Sequence, residues 1–191
     1  MKVIGLTGRI GCGKSTVAAM LHERGAATID ADEVAREVRE TDPNAGAAIH
    51  ARFGTDEPAA LARLVFGDPQ ALADLEAIVH PAVRDRVRDR LAALEAAETA
   101  VAVVEAIKLL ESPLRERCDE IWVVVCRPED ALDRVAQRGM SAADAERRLA
   151  NQRSAEEMVA AADVVIDGSA ALRQTQDQVH AALSRLLENE P

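Results

Sequence analysis

Residues 8–15 read Gly-Arg-Ile-Gly-Cys-Gly-Lys-Ser and satisfy the pattern G-x-x-x-x-G-K-[ST]. The flanks match as well: Val3, Ile4 and Leu6 lead in as a strand, and residues 15–21 lead out as a helix. Few folds accommodate a strand, a tight glycine loop and a helix whose N-terminus is aimed at an anion. The glycines let the backbone curl so that successive N–H groups converge on phosphates. Lys14 is expected between the β- and γ-phosphates of ATP and the Ser15 hydroxyl on Mg²⁺. The expected nucleotide contacts are Gly8, Arg9, Ile10, Gly11, Cys12, Gly13, Lys14, Ser15 and Thr16. No N-K-x-D base-reading motif follows, which disfavours a GTPase switch. Cys12 has two readings. A thiol at a helix N-terminus tends to be acidic and redox-active, but a loop that binds through its backbone needs only a small side chain there. The second reading is preferred.

The rest of the chain fits a nucleotide-binding α/β domain. Apolar runs at 2–6, 27–29, 99–104, 120–126 and 164–166 read as five strands, and those around Val103 and Val124 are continuous rather than alternating. Continuous runs mark strands covered on both faces, and the βαβα alternation predicts a mostly parallel sheet flanked by helices. A long helix is expected from Pro81, with Val83, Val87, Leu91 and Leu94 at helical spacing, and a last helix from residue 170 to about 188. Turn signals at 42–44, 55–58 and 67–69 divide a helical insertion between strands two and three. The expected layout is one domain: core 1–40, 98–126 and 160–191, insertion 41–97, lid about 127–155.

Composition narrows the function. The chain has 191 residues and a net charge of −10, which argues against a nucleic-acid or membrane-surface binder. Three cysteines without paired or metal-type spacing suit a reducing compartment, and the first residues do not resemble a signal peptide. These features predict a cytoplasmic protein with small-molecule partners, as a monomer or small homo-oligomer.

Three segments carry further candidates. Asp30-Ala31-Asp32 closes the second strand, where a carboxylate can take a proton from an attacking hydroxyl or hold Mg²⁺ through water. Asp30 equally suits a helix N-cap, which makes Asp32 the better base candidate. Glu105 follows Val103-Val104, and Lys108 is one of few lysines. Glu105 reads as organising a Mg²⁺-bound water or the acceptor ribose, and Lys108 as meeting a substrate phosphate; a salt bridge or solvated turn is the alternative. Arg127, Arg134, Arg138, Arg147, Arg148 and Arg153 cluster as a mobile lid would. Most should pair with nearby carboxylates, while Arg138 and Arg148 are expected to touch phosphate. Gly139 should stop one lid helix, and Ser141 to Asp144 should start the next in capping-box style.

Gly5-Leu6-Thr7-Gly8 running into the loop, then Asp30-Ala31-Asp32, resembles the dephospho-CoA kinase family. The likeness continues through Val65-Phe66, through residues 75–81 (Leu-Glu-Ala-Ile-Val-His-Pro), 118–124, 148–152 and 162–167. It implies a P-loop fold like that of nucleoside monophosphate kinases, with a core, a helical CoA-binding insertion and a lid. It also implies ATP- and Mg²⁺-dependent phosphorylation of the ribose 3′-hydroxyl of dephospho-CoA, with Asp32 close to that hydroxyl. His80 either caps the long helix or lies near the acceptor. The alternatives are a kinase of another nucleoside, nucleotide or small alcohol, and an ATP-binding regulatory paralogue. The chain departs from the family pattern at Arg9, in a shortened 55–61 segment with Glu57-Pro58, at Met158 and at Gly168.

Overall fold

The computed structural model describes residues 1–65 and 67–188; Phe66, part of the Val65-Phe66 likeness, lies outside them. Five strands, β1 (Lys2–Gly8), β2 (Ala27–Asp30), β3 (Val101–Glu105), β4 (Glu120–Val125) and β5 (Val164–Asp167), form one sheet in the order β2-β3-β1-β4-β5. The β1–β3, β1–β4 and β4–β5 pairings are parallel, with Ile4 opposite Val103 and Leu6 opposite Trp122. The helices are α1 (Lys14–Glu23), α2 (Ala31–Thr41), α3 (Pro43–Phe53), α4 (Pro58–Val65), α5 (Pro69–Ala96), α6 (Pro128–Gln137), α7 (Ala142–Ala150), α8 (Ala155–Ala160) and α9 (Leu172–Glu188).

Two compact units emerge: Met1–Ile29 with the chain from Leu94 onward, and Asp30–Ala93. In the first, Ile4, Leu6, Val103, Trp122, Val124 and Ile166 pack against Val17 and Leu21 of α1 and Val179, Leu183 and Leu186 of α9. Alternate residues of each strand supply this face, as the two-residue period of a pleated strand requires. All of β3 is buried, whereas β5, at the sheet edge, alternates buried and exposed. On the other face Gly5 leaves room for the segment after β3. A Cβ there would lie 2.7 Å from Leu109 Cδ2 and 2.8 Å from Cys118 Sγ. Burial, and secondarily the Asp119 charge, pushes the Cys118 thiol up to about 12, so it stays protonated.

The second unit, Asp30–Ala93, is helical. Asp42, at a turn signal, accepts from the N–H groups of Asn44 and Ala45 and caps α3. Glu57 accepts from Ala59 and Ala60 at the start of α4, and these two bonds hold its carboxyl below the ordinary value. Glu57-Pro58 is therefore a helix start. The expected helix start at Pro81 is corrected. The helix begins at Pro69, where Asp68 accepts from the N–H groups of Gln70 and Ala71, and Pro81 lies inside it. Proline removes one N–H there, but burial of Ala71, Val79, Val83, Val87 and Leu91 carries the helix through. Glu37 of α2 bridges to Arg86, at 2.8 Å, and to Arg90 of α5.

Candidate active site

β1 ends at Gly8 and α1 begins at Lys14, so the chain must turn sharply between them. Gly11 (φ 82°) and Gly13 (φ 95°) take the left-handed conformations that close the turn. The Gly13 carbonyl accepts from the N–H groups of Thr16 and Val17, at 3.0 and 3.1 Å. The N–H groups of Lys14 and Ser15, in the first turn of α1, have no intrahelical acceptor, and with the helix dipole they form an anion cradle.

The loop is fitted closely from below. A Cβ on Gly11 would stand 2.5 Å from the Ala131 carbonyl oxygen of α6, and one on Gly168 2.1 Å from the Cys12 carbonyl oxygen. Gly168, one of the family departures, is thus required by the space it occupies. Arg134 of α6 donates to the carbonyl oxygens of Gly11 (3.3 Å) and Gly168 (2.7 Å), tying the loop, α6 and the β5–α9 turn together. From above, the Gln152 side-chain oxygen accepts from the Ile10 N–H at 3.1 Å, and Arg9 donates to the Leu149 carbonyl oxygen at 3.3 Å. Arg9 therefore turns to the C-terminal end of α7, and its buried Nε has no partner among the described residues.

Lys14 Nζ lies 2.7 Å from Glu105 Oε1, with the two side chains 12% and 7% exposed. Ser15 Oγ donates to the same oxygen at 3.3 Å. Of the readings open for Glu105, the structure displays a salt bridge, made to the phosphate-loop lysine itself. A hydroxyl and a carboxylate oxygen in contact form a hard donor set that fits Mg²⁺. Beside the loop, Gly13, Thr16, Arg134, Arg138, Gly168 and Leu172 line a cavity of about 200 Å³. Leu172 is 66% exposed there, leaving an apolar surface in the cavity wall.

The other predicted residues are placed as follows. Asp30 Oδ1 accepts from the N–H groups of Asp32 and Glu33, so Asp30 is the N-cap of α2. Asp32 is exposed in the first turn. His80 is exposed in the middle of α5, far from any helix end, which corrects the capping reading. Lys108 is exposed at the start of a short 3-10 turn. Arg138 and Arg148 are exposed, Arg138 just past the end of α6. Of the six clustered arginines, Arg127 pairs with Asp130 and Arg147 with Asp144, fewer than the expected majority; Arg153 reaches Glu111 and Arg134 turns to backbone carbonyls. The Arg127 side chain holds the Asp130 carboxyl below its ordinary range. Met158 is buried, a core residue of α8.

Two features escaped the sequence. The cysteines are not all unpaired: Cys12 and Cys126 form a disulfide across 114 residues. β4 runs beside β1 and brings the two chain segments together, a proximity their spacing hides. Arg134, expected only as one of the clustered arginines, and Gln152, noted only within the 148–152 likeness, also hold the loop. The available signal for Arg134 was a charge between the buried Ala131 and Val135 on one face of α6.

The family model described as dephospho-CoA kinase matches residues 2–174. A dephospho-CoA kinase of Geobacter sulfurreducens is 43% identical over 178 residues, 88% of this chain and 90% of that protein. A Thermus thermophilus protein of known structure superposes with a TM-score of 0.83 at 33% identity, covering 97% of both chains. A shikimate kinase of Acinetobacter baumannii, solved with shikimate, shares the fold at a TM-score of 0.58 and 18% identity, covering 100% of this chain and 95% of that one.

Proposed function

The chain belongs to the dephospho-CoA kinase family, and from that premise we propose how its own residues carry out the reaction. The activity is ATP-dependent phosphorylation of the ribose 3′-hydroxyl of dephospho-CoA, with Mg²⁺, giving coenzyme A. The Lys14–Glu105–Ser15 cluster at the mouth of a complete phosphate loop carries the reading.

When the triphosphate arrives, Lys14 leaves Glu105 for the β- and γ-phosphate oxygens, and the loop N–H groups from Gly11 to Ser15 take the rest of the charge. Ser15 and Glu105 are the residues that would hold Mg²⁺, which neutralises charge building on the transferred phosphoryl group. Thr16, Arg134 and Leu172 line the cavity we assign to the base. Asp32 takes the proton of the 3′-hydroxyl as its oxygen attacks the γ-phosphorus. Asp30 fixes the turn that presents Asp32 and contacts the acceptor. His80 and Lys108 bind the acceptor's anionic groups, and Arg138 and Arg148 reach the transferring phosphate from a lid at about 127–155. Because phosphoryl transfer is mostly positioning and charge stabilisation, a closing lid supplies much of the catalysis. The insertion 41–97 is assigned to the CoA moiety. The enzyme is placed in the cytoplasm, as a monomer or small homo-oligomer.

The test offers ATP, Mg²⁺ and a panel of acceptors to the wild type and to Asp32→Asn. Phosphate is expected on dephospho-CoA, and the variant should bind ATP normally while losing at least about 100-fold in turnover, the scale of general-base catalysis. Transfer only to another nucleoside or alcohol, or tight ATP binding without transfer, would replace the acceptor assignment. Normal turnover in the variant would remove Asp32 as the base.

A further inference from the structure

Cys12 stands in the middle of the phosphate loop, bonded to Cys126 just past the end of β4 and two residues before α6. Its side chain is buried in the same apolar cluster as Val124, Ala131 and Ile166. Cys126 is half-buried and lines an open depression of about 520 Å³ with Arg127, Asp167 and Gln174. Of the pair, Cys126 is the residue that borders an open depression, while Cys12 is buried. Disulfides in reducing compartments are usually transient and serve catalysis or redox sensing.

We propose that Cys12 and Cys126 form a thiol-modification site that takes a low-molecular-weight disulfide and lowers the affinity of the phosphate loop for ATP. This rests on the reading of the loop as the ATP site. The Cys126 thiolate attacks one sulfur of the small disulfide, forming a mixed disulfide and releasing one small thiolate. The Cys12 thiolate then attacks the Cys126 sulfur, closing the internal disulfide and releasing the second, and the two thiol protons pass to the two released thiolates. Two protein thiols are oxidised and one small disulfide is reduced to two thiols. Excess small thiol drives the same steps backward.

The loop cannot be indifferent to this bond. Reduction removes the covalent tie, and the two sulfurs then separate to ordinary van der Waals contact. The Cys12 carbonyl already lies against Gly168, and Gly11 against the Ala131 backbone, so movement toward either wall is closed. The separation on reduction is taken up by the loop around residue 12. In the oxidised structure the Cys12 N–H donates to the Arg9 carbonyl oxygen at 3.2 Å, so one donor at the apex of the loop is spent internally. Arg134, held to Gly11 and Gly168, grows from the same helix that Cys126 anchors, so oxidation fixes loop and lid root as one body.

The full chain is reduced with dithiothreitol or equilibrated with oxidised glutathione, and free thiols are counted by alkylation and intact mass. Mg²⁺–ATP affinity is then measured by calorimetry without acceptor, so transfer plays no part. Oxidised glutathione should remove the thiols of Cys12 and Cys126, leave the Cys118 thiol, and raise the Kd for ATP at least tenfold, reversibly. Cys126→Ser and Cys126→Ala should bind ATP as the reduced wild type does and ignore oxidised glutathione. Equal affinity with the disulfide formed, or all thiols surviving the oxidant, overturns the switch. A reduced enzyme that fails to bind ATP overturns the donor-site reading beneath it.

Discussion

Gly168→Ala tests how tightly the phosphate loop is seated. The added Cβ would stand 2.1 Å from the Cys12 carbonyl oxygen and 3.2 Å from both Val124 Cγ1 and the Val125 carbonyl oxygen. Van der Waals contact requires well over 3 Å, so the first gap must open by about 1 Å. The two walls at 3.2 Å have no such slack. The Gly168 N–H is held by the Val125 carbonyl at 2.8 Å and its carbonyl by Arg134, so residue 168 cannot retreat. The loop moves instead. A displacement of about 1 Å in groups that position a reacting phosphate costs on the order of 100-fold in rate, or about 2.7 kcal/mol. Overpacking adds roughly 1–3 kcal/mol of instability. Steady-state kinetics and thermal melting should therefore show kcat/KM for ATP falling about 100-fold, with a Tm lower by several degrees. Gly46→Ala is the matched control, because none of the described residues lies within 4 Å of its Cβ and it sits inside α3. It should raise stability by about 0.5–1 kcal/mol and leave kinetics alone. A Gly168→Ala enzyme folded as the wild type, with kcat/KM for ATP within threefold of it, would refute the close seating of the loop.

Two further substitutions probe the charges around the loop. Glu105→Gln leaves the Lys14 ammonium beside a neutral amide. Removing one partner of a fully buried pair costs about 3–5 kcal/mol, and at 12% exposure, next to an open cradle, ~1–3 kcal/mol is expected. The ATP-free enzyme should melt several degrees lower, Mg²⁺–ATP should restore most of the difference, and turnover should fall at least about 100-fold; an unchanged melt would show that the pair is not stabilising. Arg138→Ala and Arg148→Ala should each lower kcat by roughly tenfold or more with an unchanged melt. Unaffected rates in both would move the lid's phosphate contact to another arginine.

Features encoded within a few consecutive residues were legible in the sequence. The phosphate loop, the Asp30 cap, the break at Asp42-Pro43 and the order of strands and helices each follow from short-range rules. A motif sets its own dihedrals, a cap satisfies the N–H groups beside it, and apolar period reports burial. Pro81 shows where such rules fail. Read locally, a proline after His80 opens a helix, yet residues on both sides bury one stripe, and packing outweighs a single missing N–H.

The sequence alone determined that an anion cradle follows the first strand of an α/β sheet, with a lysine and a hydroxyl poised at it, because loop, strand and helix are contiguous. Which groups from elsewhere close on that cradle was decided by the tertiary structure. The pairings of Lys14 with Glu105, Cys12 with Cys126, Ile10 with Gln152 and Gly11 with Arg134 join residues about 90 to 140 positions apart. They exist because β1 lies between β3 and β4, a choice made by burial across the whole sheet. No spacing along the chain records it.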